Sequence, residues 1–409
     1  MLNKRVISGG FTINFLVLPQ KTEEIFLRFV FDAGYSFSPK DKFHLPHLLE
    51  HLIANKLNPF NLKYYYAEVD LERIEIGITF KNLKEATAFE KIFEVIFNFE
   101  TTEKAVAFEQ KIIYNELQEK QASTVSHLFD LALNNRFQTE SNYTHDPRNL
   151  DEIKSITKYD LEQFHHRYFT PQNCTIFVGS YHLPSGDMDE AIKMLSRLKF
   201  TKGDSQEVPS PGEFSNFGIS QESRGDINAF LGLNWPIEST ANSMLHRHYL
   251  CVITDLLTWG PHSLLYSELR EKRGLVYGIQ ATSDHYQKFS FVGINTFAEP
   301  TDINIIIKII LDQICNLKTG KIDSKRFHEI LESYIENDTR DWKNNYERFD
   351  WNISNILTYG KVYSLNDYIK ICKQTKETDV TNYAKKIFDN SKLNINLVGK
   401  NLPKITLNF

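Results

Sequence analysis

The chain of 409 residues is poor in cysteine, with only Cys174, Cys251, Cys315 and Cys372, and no two of them form a C-x-x-C pair. That argues against a disulfide framework or a thiolate zinc site and suits a reducing compartment. Positive charge is not in excess either. Lys and Arg number 47 against 52 Asp and Glu, for a net charge of −5, and no long basic run stands out. Phosphates would meet no basic field, so no nucleic-acid partner is expected. Long hydrophobic runs are also missing. The most apolar helical stretch, INIIIKIILDQI, is interrupted by Lys308 and Asp312 and is too short to cross a bilayer. In the N-terminal MLNKRVISGGFTINFLVLPQ the apolar part is broken by Thr12 and Asn14, so neither a signal peptide nor a membrane span is expected, and the expected location is cytoplasmic. Glycine is absent from Gly34 to Gly77.

What is present is ordinary globular material, 41% hydrophobic and 24% charged, in a length that calls for two or more domains. The stretch TKGDSQEVPSPGEFSNFG at 201–218 gathers Gly, Ser and two prolines near the midpoint and reads as a linker between residues 1–200 and 219–409. The two halves close alike, one on DLEQFHHRYFTPQNCTIFVGS from Asp160 and the other on DVTNYAKKIFDNSKLNINLVGK from Asp379. Aligning those aspartates pairs Leu161 with Val380, Phe164 with Tyr383 and Phe169 with Phe388, which reads as a duplication. Strand-like runs such as EIFLRFVFDAG, YYYAEVDLERIEIGITF and GLVYGIQATSDHYQKFSFVGINTF come early in each half. Helical periodicity follows in NLKEATAFEKIFEVIFNF and DINIIIKIILDQICNL, with long helices expected at Lys104–Lys120 and Lys325–Tyr346. The predicted fold class is α+β: two homologous domains, each a mainly antiparallel sheet covered by helices on one side.

The chemistry-bearing stretch is HLPHLLEHLIANKL, residues 44–57, which holds His47, Glu50 and His51 in the order H-x-x-E-H. At about 100° per residue, His47 and His51 project from one face a turn apart with Glu50 beside them, so two imidazoles can reach one ion. Pro46 suits a first helical turn. Leu45, Leu48, Leu49, Leu52 and Ile53 cover much of the remaining circumference, which reads as a buried helix. Two histidines and a glutamate in such a helix cost free energy unless they are paired or coordinating. Zinc with two imidazoles and an open water position wants a third protein ligand, commonly a carboxylate. In FEQKIIYNELQEK, Glu109 and Glu116 lie two turns apart on one face, near Glu119, and periodicity alone does not choose between them.

These motifs resemble those of the inverzincins of the pitrilysin and insulin-degrading class, in particular the two-domain branch that includes mitochondrial processing peptidase. The resemblance runs over nearly the whole chain, including the V-G strand that closes each half. It implies Glu116 as the third zinc ligand and Glu109 as a supporting carboxylate. In the second half, SLLYSELREKRGLVYGI is similar to the family's L-R-x-x-x-G-L-x-Y segment, which implies Arg270 and Tyr277 as a substrate-binding pair. ELREKRG also reads as a helix end capped by Gly274 and followed by a strand. One departure is that NKLNPFNLKYYYAEVD is shorter and richer in tyrosine than the family's glycine-containing stretch with its Asn-Ala edge strand.

The resemblance implies a zinc metalloendopeptidase that hydrolyses unstructured peptides inside a clamshell chamber, with Zn²⁺ held by His47, His51 and Glu116 and with Glu50 as general base. No G-x-S-x-G is present to supply a serine nucleophile. Two alternatives are a peptidase dedicated to maturing a ribosomally made precursor peptide and a noncatalytic partner or scaffold subunit. The family's clamshell needs four homologous domains and this chain has two halves, so a homodimer, or a heterodimer with a paralogous subunit, is expected.

Overall fold

The computed structural model describes residues 2–8, 10–60, 62–82, 89–137, 141–145, 149–181, 203, 205–225, 228–238 and 243–407. The first six strands are β1 (Leu2–Ser8), β2 (Phe11–Val17), β3 (Ile25–Phe31), β4 (Tyr64–Val69), β5 (Ile74–Phe80) and β6 (Cys174–Ser180), and they form one sheet in the order β1-β2-β6-β3-β5-β4. Five more, β7 (Gly218–Ser223), β8 (Ala229–Glu238), β9 (Ile279–His285), β10 (Phe289–Ala298) and β11 (Asn394–Gly399), form a second sheet in the order β7-β11-β8-β10-β9. With β1 set aside, the topologies are the same. In each sheet the first strand pairs parallel with the last, and every other pairing is antiparallel.

The longer helices are α1 (Leu45–Leu57), α2 (Phe89–Phe97), α3 (Glu103–Ala122), α4 (Thr124–Asn135), α5 (Lys158–Tyr168), α6 (Met244–Thr258), α7 (Ile303–Lys318), α8 (Ser324–Asp341), α9 (Asn345–Tyr359), α10 (Leu365–Gln374) and α11 (Glu377–Ile387). The duplication persists in local detail. At the start of α5 the Thr157 N–H donates to Asp160 at 2.8 Å, and at the start of α11 the Lys376 N–H donates to Asp379 at 3.0 Å. The matched residues Phe169 and Phe388 end these helices with nearly equal dihedrals, φ −91°, ψ 62° and φ −89°, ψ 67°, and both side chains are buried.

Each sheet is covered on both faces rather than on one. Every residue of β3 is buried. Because strand side chains alternate, Phe29 and Phe31 meet Phe93 and Phe97 of α2, while Phe26 and Val30 on the other face join Phe349 and Ile353 of α9. On the second sheet, Leu231, Leu233 and Trp235 belong to a core with Ile253, Ile310 and Phe327, whereas Phe230 and Val398 on the opposite face pack with Leu128 of α4.

The division into compact units follows from this. One unit comprises Met1–Gln118, Arg148–Pro209 and Arg340–Ser364, and the other Glu119–Pro147, Ser210–Thr339 and Leu365–Phe409. A switch between units falls at 209/210, inside the 201–218 stretch, but a single cut into 1–200 and 219–409 misses that α4 and α9 each belong with the opposite sequence half. The physical cause is the second apolar face of each sheet. The α9 stripe of Phe349, Ile353, Ile356 and Leu357 has helical spacing and needs an apolar surface, and burying a side chain such as Phe349 contributes about 2–3 kcal/mol. For the same reason the single helix expected at Lys325–Tyr346 is two. α8 ends at Asp341, and Asn344 caps α9 by accepting from the N–H groups of Tyr346 at 2.8 Å and Glu347 at 3.2 Å.

Candidate metal centre

The centre lies in the first unit, on α1 and α3. Leu45, Leu48, Leu49, Leu52 and Ile53 of α1 are all buried, and Pro46 occupies its first turn. The helix N-terminus has no side-chain cap of its own. Instead Glu152, distant in sequence, accepts from the His44 N–H at 2.9 Å, a placement that favours a carboxylate at the positive end of the helix, although burial pushes Glu152 up to about 7.

With α1 held in this way, the His47 and His51 rings stand 4.8 Å apart, nearly perpendicular. Nε2 of His47 lies 3.6 Å and Nε2 of His51 3.9 Å from Oε2 of Glu116 on α3. The ligand atoms of these three residues all fall within 4.8 Å of one another, the one such group of His, Cys, Asp or Glu among the described residues. Glu109 is placed differently. Its Oε2 lies 3.1 Å from Nδ1 of His51 and its Oε1 accepts from Asn55 at 2.8 Å. Both oxygens are engaged behind His51, leaving Nε2 of that ring to face Glu116. Asn55 escaped the sequence reading, although its position one turn after His51 on α1 is compatible with sharing a carboxylate partner.

Glu50 completes the set. It is 8% exposed, its Oε2 is 3.9 Å from Nε2 of His51, and burial together with the nearby carboxylates of Glu116, Glu68 and Glu109 pushes it up to about 8. A cation among these carboxylates would relieve that repulsion. The donor set, two imidazole nitrogens and a carboxylate with a second carboxylate orienting one imidazole, fits a zinc ion with a position left for water.

Glu68 belongs to β4, the strand that follows α1 and packs against it. The tyrosine-rich segment therefore does form the edge strand, paired with β5 on one side and with no partner strand on the other among the described residues.

Arg270 and Tyr277 lie in the second unit and meet each other there. The Arg270 guanidinium sits 4.8 Å from the Tyr277 ring and 4.9 Å from the Tyr266 ring. Gly274, at φ +62°, ends the helical turn with its N–H donating to Arg270 at 3.0 Å, and β9 begins at Ile279. Tyr277 is 86% exposed.

Comparison with known proteins places this geometry in context. Residues 155–334 match the family described as the Peptidase M16 inactive domain. An uncharacterized zinc protease of Mycobacterium leprae is 20% identical over 276 residues, which is 65% of this chain and 58% of that protein's length. Among solved structures, the peptidase M16 inactive domain from Pseudomonas fluorescens superposes with a TM-score of 0.85 at 16% identity, over 99% of this chain and all of the other. The periplasmic protease PqqL from Escherichia coli gives 0.77 at 12% identity, over 99% of this chain but 47% of PqqL. The structural matches establish a shared α+β fold. The segment matched to the inactive domain begins after Glu116, so its name does not bear on His47, Glu50, His51 or Glu116.

Proposed function

We propose that this chain is a zinc-dependent peptidase of the M16, pitrilysin-like family that hydrolyses extended, unstructured peptides. The observation that carries the reading is the convergence of His47, His51 and Glu116 within 4.8 Å, with Glu50 beside them. A bound zinc ion would supply a Lewis acid and lower the pKa of a coordinated water from about 9 toward about 7. His47, His51 and Glu116 would hold it, with Glu109 fixing the His51 ring. Glu50, with its Oε2 3.9 Å from Nε2 of His51, would take a proton from the attacking water and return it to the leaving amine. The edge of β4, which has no partner strand among the described residues, offers its backbone groups to an extended peptide, which would add as a further strand beside the centre.

A noncatalytic partner role is the second reading, favoured by the description of the family matched over 155–334. Against it, the residues a degenerate member would lose are all present. The counterpart of α1 in the second sheet, α6, reads MLHRHYLCVITDLLT without H-x-x-E-H, which suits one catalytic unit and one supporting unit. The fold covers about half of PqqL, and from this we infer a second two-unit body for the working enzyme, either another copy or a paralogous subunit. A cytoplasmic location is part of the same proposal, and dedicated maturation of one precursor peptide is the alternative to hydrolysis of unstructured peptides in general. Among the described residues no helix is long and apolar enough to cross a membrane.

The test is elemental analysis of the purified chain followed by peptide-library digestion with and without a chelator. Near-stoichiometric zinc with chelator-sensitive cleavage is expected. A chain that binds zinc but cleaves nothing, alone or with its co-purifying partner, would favour the scaffold reading, and one that binds no zinc would remove the proposal.

A further inference from the structure

Tyr66 stands in the middle of the edge strand β4, opposite Gly77 of β5. Its ring lies across that glycine: a Cβ built at Gly77 would fall 2.1 Å from Cε1 and 2.6 Å from Cζ of Tyr66. The ring is thus folded inward over the sheet, away from the free edge, and only a residue without a side chain leaves it that room. A chain of polar contacts holds it there. The Tyr66 hydroxyl donates to Oε1 of Glu75 at 2.6 Å, and the same oxygen lies 3.0 Å from Nη1 of Arg28. Arg28 is buried, is paired at 2.6 Å with Asp350 of α9, and has its guanidinium 5.3 Å from the Tyr66 ring. Three residues, from β3, β5 and α9, therefore fix one tyrosine, at the cost of burying a guanidinium, which is weak evidence for stability by itself.

We propose that Tyr66 is a positioning residue for the substrate peptide: parked over Gly77 by Glu75, Arg28 and Asp350, it keeps the free edge of β4 clear so that an extended chain can pair with it. Tyr64 and Glu68, its neighbours on the same face, are both exposed, so a Tyr66 ring released from Gly77 would swing toward them and toward the incoming strand. The β4 N–H and C=O groups would then be covered on one face where the peptide's own side chains must stand. The peptidase reading supplies the identity of the ligand, while the edge-strand claim itself is a statement about peptide binding.

The test uses the zinc-loaded full chain, with its partner if one co-purifies, and a fluorescent unstructured peptide carrying the cleavage sequence found by library digestion. Gly77→Ala evicts the ring and should raise KM about tenfold, as for the loss of one or two backbone hydrogen bonds, with kcat and zinc content unchanged. The double variant Tyr66→Ala/Gly77→Ala should have a lower KM than Gly77→Ala alone, a rescue that a purely structural defect at Gly77 would not give. Tyr66→Phe keeps the ring, loses the Glu75 bond and should raise KM about threefold, so it tests the idea even if Gly77→Ala fails to fold. Parental KM in both Tyr66→Phe and Gly77→Ala, or a double variant as impaired as Gly77→Ala, would overturn the proposal. If the parent cleaves nothing, anisotropy of the labelled peptide replaces KM. A parent that binds peptide tests Tyr66 separately from catalysis, and one that does not bind overturns both readings.

Discussion

The carboxylate of Glu109 lies 3.1 Å from Nδ1 of His51, and its other oxygen is held by Asn55. Glu109 thus stands behind an imidazole, whereas Glu116, seven residues on, faces Nε2 of both histidines. Removing either carboxylate should have a different consequence. Glu109→Gln should weaken zinc affinity by about 10–100-fold, as for loss of a supporting contact, and Glu116→Gln should weaken it further. Competition with a chromogenic chelator measures both, and a larger loss from Glu109→Gln would reverse the two roles.

Zinc retention should also fail in His51→Ala, because two ligands do not make a usual catalytic set. Since a metal bound only by the folded chain stabilises it by mass action, the same substitution or a chelator should lower the parental melting temperature. Undiminished zinc in His51→Ala would remove the assignment.

Glu50→Gln should keep fold and zinc while lowering kcat by at least about 100-fold, since the amide preserves size and cannot accept the proton. Cleavage at close to the parental rate would mean that another group is the base.

For the exposed Arg270 and Tyr277 pair, the expected outcome is complementation. Glu50→Gln and Tyr277→Phe chains, each nearly inactive, should regain activity when mixed if a second body supplies the pair to the zinc site. No recovery after verified subunit exchange would exclude action in trans.

Acid should destabilise the protein through two buried histidines. Burial lowers His165, which is bonded to the Ile96 carbonyl at 2.8 Å, and His248 from 6.5 to about 4. Between those values the unfolded chain binds protons that the folded chain refuses. Stability is therefore fully present above about pH 6.5 and falls as pH drops toward 4, by up to about 3 kcal/mol per histidine. Because Glu152, raised to about 7, favours the folded chain as pH falls, the histidine contribution is read as a difference: from pH 7.5 to 5 the denaturant midpoint of His165→Gln should gain on that of the parent. A difference that stays constant across that range would contradict the assignment.

Much of this was local and therefore legible in the residues. H-x-x-E-H spacing on a leucine-lined helix fixes a two-imidazole face through helical geometry alone, and the paired endings at Asp160 and Asp379 carry the duplication because capping chemistry and strand alternation repeat with the sequence. The tertiary structure decided what depends on contacts between distant residues. Periodicity leaves Glu109 and Glu116 equivalent on one face, and only the seating of α3 against α1 puts one oxygen pair behind His51 and the other before both rings. The exchange of α4 and α9 was equally hidden, because an apolar stripe declares that a helix must be covered but not by which sheet. Glu152 at the head of α1, and Tyr66 with its glycine, buried arginine and Asp350, are assembled from segments up to hundreds of residues apart, and no local pattern in a single chain encodes such a meeting.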